Sequence, residues 1–407
     1  MSRIQQLLDE LCPAGVEFGE LREVAAYSKT RVDASELDET TFVGVDNLLP
    51  NKQGRVDAYY SPNSARLTAY RAGDILLGNI RPYLRKVWLA DSSGGCSGDV
   101  LAVRIAQSYS SHLIPAYLYY LLSSESFFAY NMQHAKGAKM PRGNKDAIMR
   151  FPIPVPPVEV QREIVRILDT FSALETELEA ELEARRRQYE HYRDAIMAFG
   201  DGVRRSRMAD LGFIFGGLTG KAKADFSNGN ARFVSYVNVL NHIAVDLDAQ
   251  DFVRIEPGER QRTLRRGDIL FTGSSETPDD VGLSSVVTAE LAQPIYLNSF
   301  TIGFRPSDAD LIDPEFAKHL FRSEPMRKQI VRTANGVTRF NVSKARLAQV
   351  EVPLPTLPEQ RRIANLLDKL DALVSDLSVG LPAELAARRR QYEYYRDRLL
   401  TFEEAPS

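Results

Sequence analysis

The chain has 407 residues, which at roughly 100–200 residues per domain suggests two or three domains. Apolar residues make up 44% and charged residues 26%, a globular composition that excludes a disordered chain. The formal net charge of −3 argues against holding nucleic acid by overall charge, while leaving room for local basic faces.

The N-terminus, MSRIQQLLDELCP, lacks the apolar core of a signal peptide, and no run approaches the roughly 18 apolar residues of a membrane span. Two widely separated cysteines, Cys12 and Cys96, fit a reducing cytosol better than a disulfide or metal framework.

In chain order, short β-like runs at 41–45, 74–77 and 100–105 are punctuated by Gly, Pro and Ser. An apolar-rich stretch near 115–130 predicts a helix, and a second one near 314–331 mirrors it. A Pro-rich run then opens a long helix. Ile164, Phe171, Leu178, Tyr192 and Phe199 lie on one seven-residue series, and Leu168, Leu182, Tyr189 and Ile196 on another, interrupted by Glu175 and Arg185.

A similar helix closes the chain, with Ile363, Leu370, Leu377, Leu381, Leu385, Tyr392, Tyr395, Leu399 and Phe402 on its apolar face. Gly380 and Pro382 should break or kink it, because Pro lacks the donor a helix interior needs. Two matching seams predict antiparallel packing, with globular units at the ends of a rod roughly 60 Å long.

The chain is an internal duplication. Ile153, Pro154, Gln161, Ile164, Leu168 and Asp169 recur 199 residues later as Val352, Pro353, Gln360, Ile363, Leu367 and Asp368. RRRQYEHYRD from Arg185 recurs as RRRQYEYYRD from Arg388. Looser matches precede them: Asn47 with Asn238, Gly73-Asp74-Ile75-Leu76 with Gly267-Asp268-Ile269-Leu270, and Gly137 with Gly336. The expected organisation is a first globular domain at 1–156, a long helix at 157–200, a second globular domain at 201–356, and a second helix with its tail at 357–407. The fold class is α+β: two mixed α/β domains separated by an antiparallel two-helix coiled coil, with an internal pseudo-twofold repeat.

Signals for catalysis are missing. The run GGLTGKA at 216–222 has Phe215 and Ala222 where a phosphate-cradling loop needs Gly and Ser or Thr, so it predicts a tight turn. The five histidines are scattered, and there is no Gly-x-Ser-x-Gly elbow. Also missing is the Asn/Asp-Pro-Pro-Tyr/Phe tetrad by which amino-methyltransferases hold a base.

Clustered positive charge stands out instead. Lys136, Lys139, Arg142, Lys145 and Arg150 face one acid, Asp146; Arg327, Lys328, Arg332, Arg339, Lys344 and Arg346 face none between 325 and 350. The clusters occupy equivalent places, each around a glycine. Such side chains neutralise phosphates, while neighbouring Asn, Thr and Arg can reach base edges. The candidates are Lys136, Lys139, Arg142 and Lys145 in the first cluster, and Arg332, Asn335, Thr338, Arg339, Asn341 and Lys344 in the second. The run GNIRPYLRK at 78–86 adds Asn79, Arg81, Tyr83 and Arg85. Its counterpart at 272–277 is polar but not basic, so the units need not read the same target.

The whole chain resembles the DNA specificity (S) subunits of Type I restriction-modification systems. The resemblance rests on IPVPP with QREIVRILD, on VPLP with EQRRIANLLD, and on helix endings similar to the IC subfamily. GDILLGNIRPYLRK and FGGLTGKAKADF look like segments of target recognition domains, and the latter adds Thr219 and Lys221 as candidates. The resemblance implies two recognition domains reading a bipartite site in double-stranded DNA, helices that dock two methyltransferase (M) subunits, and restriction (R) subunits in the full complex. It implies a cytoplasmic, non-catalytic subunit without cofactor or metal. The repeated tetrad ELEA, at 177–180 and 181–184, is similar to a spacer adjuster of that subfamily. The alternatives are a coiled-coil adaptor joining two protein partners and a self-contained methylating enzyme.

Overall fold

The computed structural model describes residues 3–62, 64–375 and 380–405. The chain divides into two compact units, Met1–Leu178 with Leu385–Ser407, and Glu179–Glu384. The 40-residue central helix, Val158–Met197, contributes its first half to one unit and its second half to the other.

The first unit is built on an antiparallel sheet in the order Ala25–Tyr27, Val100–Ile105, Ile75–Gly78, Val87–Leu89. A second sheet holds Arg31–Asp33, Arg66–Tyr70, Gly94–Cys96 and Phe42–Val43, the last pair parallel. Helices Pro115–Leu122 and Glu125–His134 pack on the first sheet around Tyr117, Leu118 and Phe127. Pro115 starts its helix where a missing N–H costs nothing, and Ser124 caps the next by accepting from the Phe127 amide.

The second unit repeats this plan. Its main sheet runs Gly212–Gly216, Thr301–Pro306, Ile269–Thr272, Ser284–Val286, and a three-stranded sheet again contains a parallel pair, Ala231–Val234 with Ile295–Leu297. Helices Pro314–Leu320 and Glu324–Val331 take the places of their counterparts.

The duplicated sequence motifs turn out to be duplicated contacts. Asp74 and Asp268 each follow a glycine at φ +87° and +88°, accept an amide of their own turn, and bind a buried-side arginine, Arg104 or Arg305, at 2.6 Å. Gln161 accepts from the Ile114 amide and donates to the carbonyls of His112 and Pro156; Gln360 does the same with Asp313, Leu311 and Pro355. These side chains satisfy loop backbone that the adjoining helix start would otherwise strand without partners. Asp169 accepts from Tyr120 at 2.6 Å, and Asp368 pairs with His319 at 2.6 Å.

The helical seams follow the expected spacing in part. Ile164, Leu168, Leu178, Leu182 and Tyr189 are buried. Towards the helix end, however, Met197 takes the buried position in place of Ile196, Tyr192 is exposed, and Phe199 lies beyond the helix, against Phe316. In the first unit the C-terminal helix, Gly380–Leu399, runs antiparallel to the central one: Arg389 pairs with Glu175 at 2.6 Å, while the later Tyr395 stacks on the earlier Phe171.

The distal helix is described as Leu357–Ser375, and Leu377 falls outside the described residues. Gly380 takes φ +72°, and Pro382 sits in the first turn of the C-terminal helix, where its missing donor is harmless. The last arginine of each RRRQYE-Y-RD motif carries no signal in the spacing, yet Arg396 is fully buried and Arg193 nearly so. Arg396 donates to Asp397 and lies over Tyr392; Arg193 does the same with Asp194 and Tyr189.

Candidate nucleic-acid interface

In the first unit the strand Ile75–Gly78 delivers the chain to a turn whose backbone is held on both sides. The Gly143 amide donates to Asn79 O at 3.1 Å, and the Arg81 amide to Pro141 O at 2.7 Å. The loop after the strand is thereby joined to the hairpin around Gly137, two segments some 60 residues apart in sequence. Gly137, at φ +104°, closes that hairpin, and Lys136 and Arg142 exchange both backbone hydrogen bonds.

Arg81 and Arg85 adopt φ +51° and +53° on either side of Pro82–Leu84. This region costs a non-glycine residue on the order of 1–2 kcal/mol, so the surroundings must enforce it. The Arg85 carbonyl accepts from the Lys52 amide, and the Arg85 guanidinium binds Glu125 at 2.6 Å. Arg81 and Tyr83 are left exposed at the tip, beside exposed Lys136, Lys139, Arg142 and Lys145. Arg142 keeps a loose pairing of 3.3 Å with Asp99, and Asn144 caps the short helix that Lys145 begins. Asn79 does not reach this surface. It is buried, packed under Gly143.

The second unit assembles the same edge from different residues. The Val342 amide donates to Gly273 O at 2.9 Å, and Ser274–Ser275 pairs with Phe340–Val342, which pairs with Ala334–Asn335. Gly336, at φ +124°, makes the hairpin turn; a Cβ there would lie 1.9 Å from Arg339 O. Exposed on this edge are Arg332, Asn335, Thr338, Arg339, Asn341 and Lys344.

Of the basic cluster, Arg327 is largely withdrawn: burial depresses its pKa and it donates to Asp279 O. Lys328 pairs with Glu324 at 2.7 Å. The turn at 216–222 is fixed by Gln261, which accepts from the Thr219 amide and donates to its carbonyl, leaving the Thr219 residue exposed. Lys221 turns inward. Its side chain is 7% exposed and its ammonium lies 2.5 Å from Glu259, whose carboxyl is pulled to about 2 by hydrogen bonds from Lys221 and Gln261. That ion pair stitches the turn to a neighbouring loop.

Two residues of this edge carry no basic or polar sequence signal. Phe300 is 57% exposed, with the Arg339 guanidinium 5.9 Å from its ring centroid, and Val337 is 91% exposed at the hairpin tip. In sequence neither differs from a core residue. Among the described residues, no group of three or more His, Cys, Asp or Glu is placed to hold a metal ion, and no helix is long and apolar enough to cross a membrane.

Two equivalent basic edges in one chain set the context for its relatives. A sequence model described as the Type I restriction modification DNA specificity domain matches twice, over residues 13–184 and 205–387. The chain belongs to this family. Within the specificity-domain family, it is 32% identical over 265 residues to the EcoR124I/EcoR124II specificity subunit of Escherichia coli, an alignment covering 62% of this chain and 63% of that subunit. The chain thus spans a little under two thirds of that relative's length. A chain solved in work on assembly and conformational transition of the type I R-M system superposes with a TM-score of 0.60 at 20% identity, covering 95% of this chain and 98% of that one. At that identity it is the fold alone that is shared.

Proposed function

We propose that this chain is the DNA-targeting subunit of a Type I restriction-modification complex. Each recognition domain, taken as 1–156 and 201–356, reads one half of a bipartite site in double-stranded DNA. The long helices dock two methyltransferase subunits, and restriction subunits complete the endonuclease. The chain itself carries no active site and acts in the cytoplasm. The observation that carries this reading is the edge built twice, once in each matched domain: a post-strand loop laced to a glycine hairpin, exposing basic side chains that are joined in the second domain by Asn335 and Asn341.

Lys136, Lys139, Lys145, Arg332 and Lys344 are assigned to phosphates, which position the duplex. Arg81, Tyr83, Arg142, Asn335, Thr338, Arg339 and Asn341 are assigned to base edges, with Arg85 bracing the loop and Thr219 at the rim. The test is to produce the chain with its methyltransferase subunit and map methylated adenines. A two-part motif is expected. Methylation by the chain alone, or DNA binding indifferent to salt, would instead favour an enzyme or a protein adaptor.

The tetrad repeat lies within the central helix. Deleting residues 181–184 removes about 6 Å of helix, against about 3.4 Å per base pair. The expected outcome is a changed number of unread bases with both half-sites intact. An unchanged spacer in the mapped motif would remove this role from the tetrad.

A further inference from the structure

The second unit's edge is a three-stranded ribbon whose chemistry is more specific than its charge. Ser274, Asn341 and Asn335 lie in register across the strands, so their side chains share one face. Phe300 borders this row, and the Arg339 Nη2 atom lies 3.5 Å from Ser274 Oγ while its guanidinium plane sits over the Phe300 ring. Val337 projects at the tip, 91% exposed. An apolar side chain held almost wholly in water contributes nothing to the core. Around it Arg332, Arg339, Lys344 and Arg346 are exposed and 325–350 holds no acid, so the surface favours a polyanion.

The hairpin that projects from this edge, Ala334–Asn335 with Phe340–Val342, is a two-stranded ribbon, which fits the major groove of B-DNA, about 12 Å wide. The apolar group displayed there is the thymine methyl, and the adenine paired with it offers the N6/N7 pattern that Asn matches. In the first unit the residue at the place of Val337 is Ala138, and Met140 stands where Arg339 does.

We propose that Val337 is a specificity-determining residue that contacts a thymine methyl in the half-site read by the second unit. Asn335 and Asn341 meet the neighbouring bases. Phe300 is a positioning residue, holding the Arg339 guanidinium in the plane from which it reaches a base edge. This assignment rests on the DNA-reading function proposed above.

The test uses the complex with its methyltransferase subunits, the mapped target duplex, and the same duplex with deoxyuridine replacing each thymine in turn, which deletes one methyl. One replacement in one half-site should weaken binding by the wild-type complex roughly fourfold, equivalent to about 0.8 kcal/mol for a buried methyl-sized group. Val337→Ser, which touches no core contact, should bind both duplexes alike. Phe300→Ala should lose as much affinity as Arg339→Ala, and Phe300→Tyr should restore it.

The proposal is overturned if no thymine replacement affects the wild type, or if Val337→Ser remains as sensitive as the wild type. The positioning role fails if Phe300→Ala is neutral or Phe300→Tyr does not rescue. A complex that binds mapped and scrambled duplexes equally sinks the DNA-reading function itself, a distinct result.

Discussion

The two units share their interior and differ at their edge. Inside, the same job falls to the same or a similar side chain: Asp74 with Arg104 and Asp268 with Arg305, Gln161 and Gln360, Asp169 under Tyr120 and Asp368 under His319. At the edge, equivalent hairpin positions hold Lys136 and Asn335, Lys139 and Thr338, Met140 and Arg339, Arg142 and Asn341. The difference follows from what each residue must satisfy. A buried turn or helix start presents fixed backbone donors and acceptors, and few side chains complete them. The hairpin closes its own backbone bonds around a glycine, so its outward side chains are free to differ without cost to the fold. One scaffold can therefore carry two unlike outward surfaces.

The largest expected effect tests the shared interior. Asp268 is fully buried against Arg305, whose side chain is 14% exposed. Asp268→Ala strands that guanidinium and should destabilise the second unit by about 3–5 kcal/mol, read as an early transition in calorimetry. Asp74→Ala should cost the first unit less, because Arg104 at 23% exposure can turn to water. Equal losses would mean that the two pairs are set by something other than burial.

A smaller effect separates the units by pH. Burial alone would raise the Asp368 carboxyl, but hydrogen bonds from His319 and Lys318 hold it below its ordinary value. A carboxyl with a depressed folded pKa contributes stability above its unfolded pKa of about 3.9 and loses it as pH falls through the lower folded value. Partial exposure screens this to under about 1 kcal/mol. Asp368→Asn should therefore lower the second unit's stability near neutrality by under about 1 kcal/mol and flatten its acid limb, the variant and the wild type converging at low pH. An acid limb as steep as the wild type's would show that other carboxyls govern it.

What was legible in the sequence tracks this division. The repeats of Gly-Asp-Ile-Leu and of Gln161 to Asp169 could be read because each copy meets the same backbone demand. Gly137 and Gly336 could be read because both turns need positive φ. The lacing of 79–81 to 141–143 could not, since it joins segments distant in sequence with no signature of their own. Nor could the inward pairing of Lys221 with Glu259 be told from a free cation, or the exposure of Phe300 and Val337 from burial in a core. Residue type announces charge and turn chemistry; it does not announce which way an ordinary apolar side chain faces.

The central claim, that each unit reads its own half-site through an equivalent edge, is tested most directly by mapping methylated adenines for complexes carrying Arg142→Ala or Arg339→Ala. Each substitution should weaken or relax recognition by about 1–3 kcal/mol where the guanidinium meets a base, Arg142→Ala in one half-site and Arg339→Ala in the other. If both disturb the same half-site, or neither disturbs any, the two edges are not the reading surfaces.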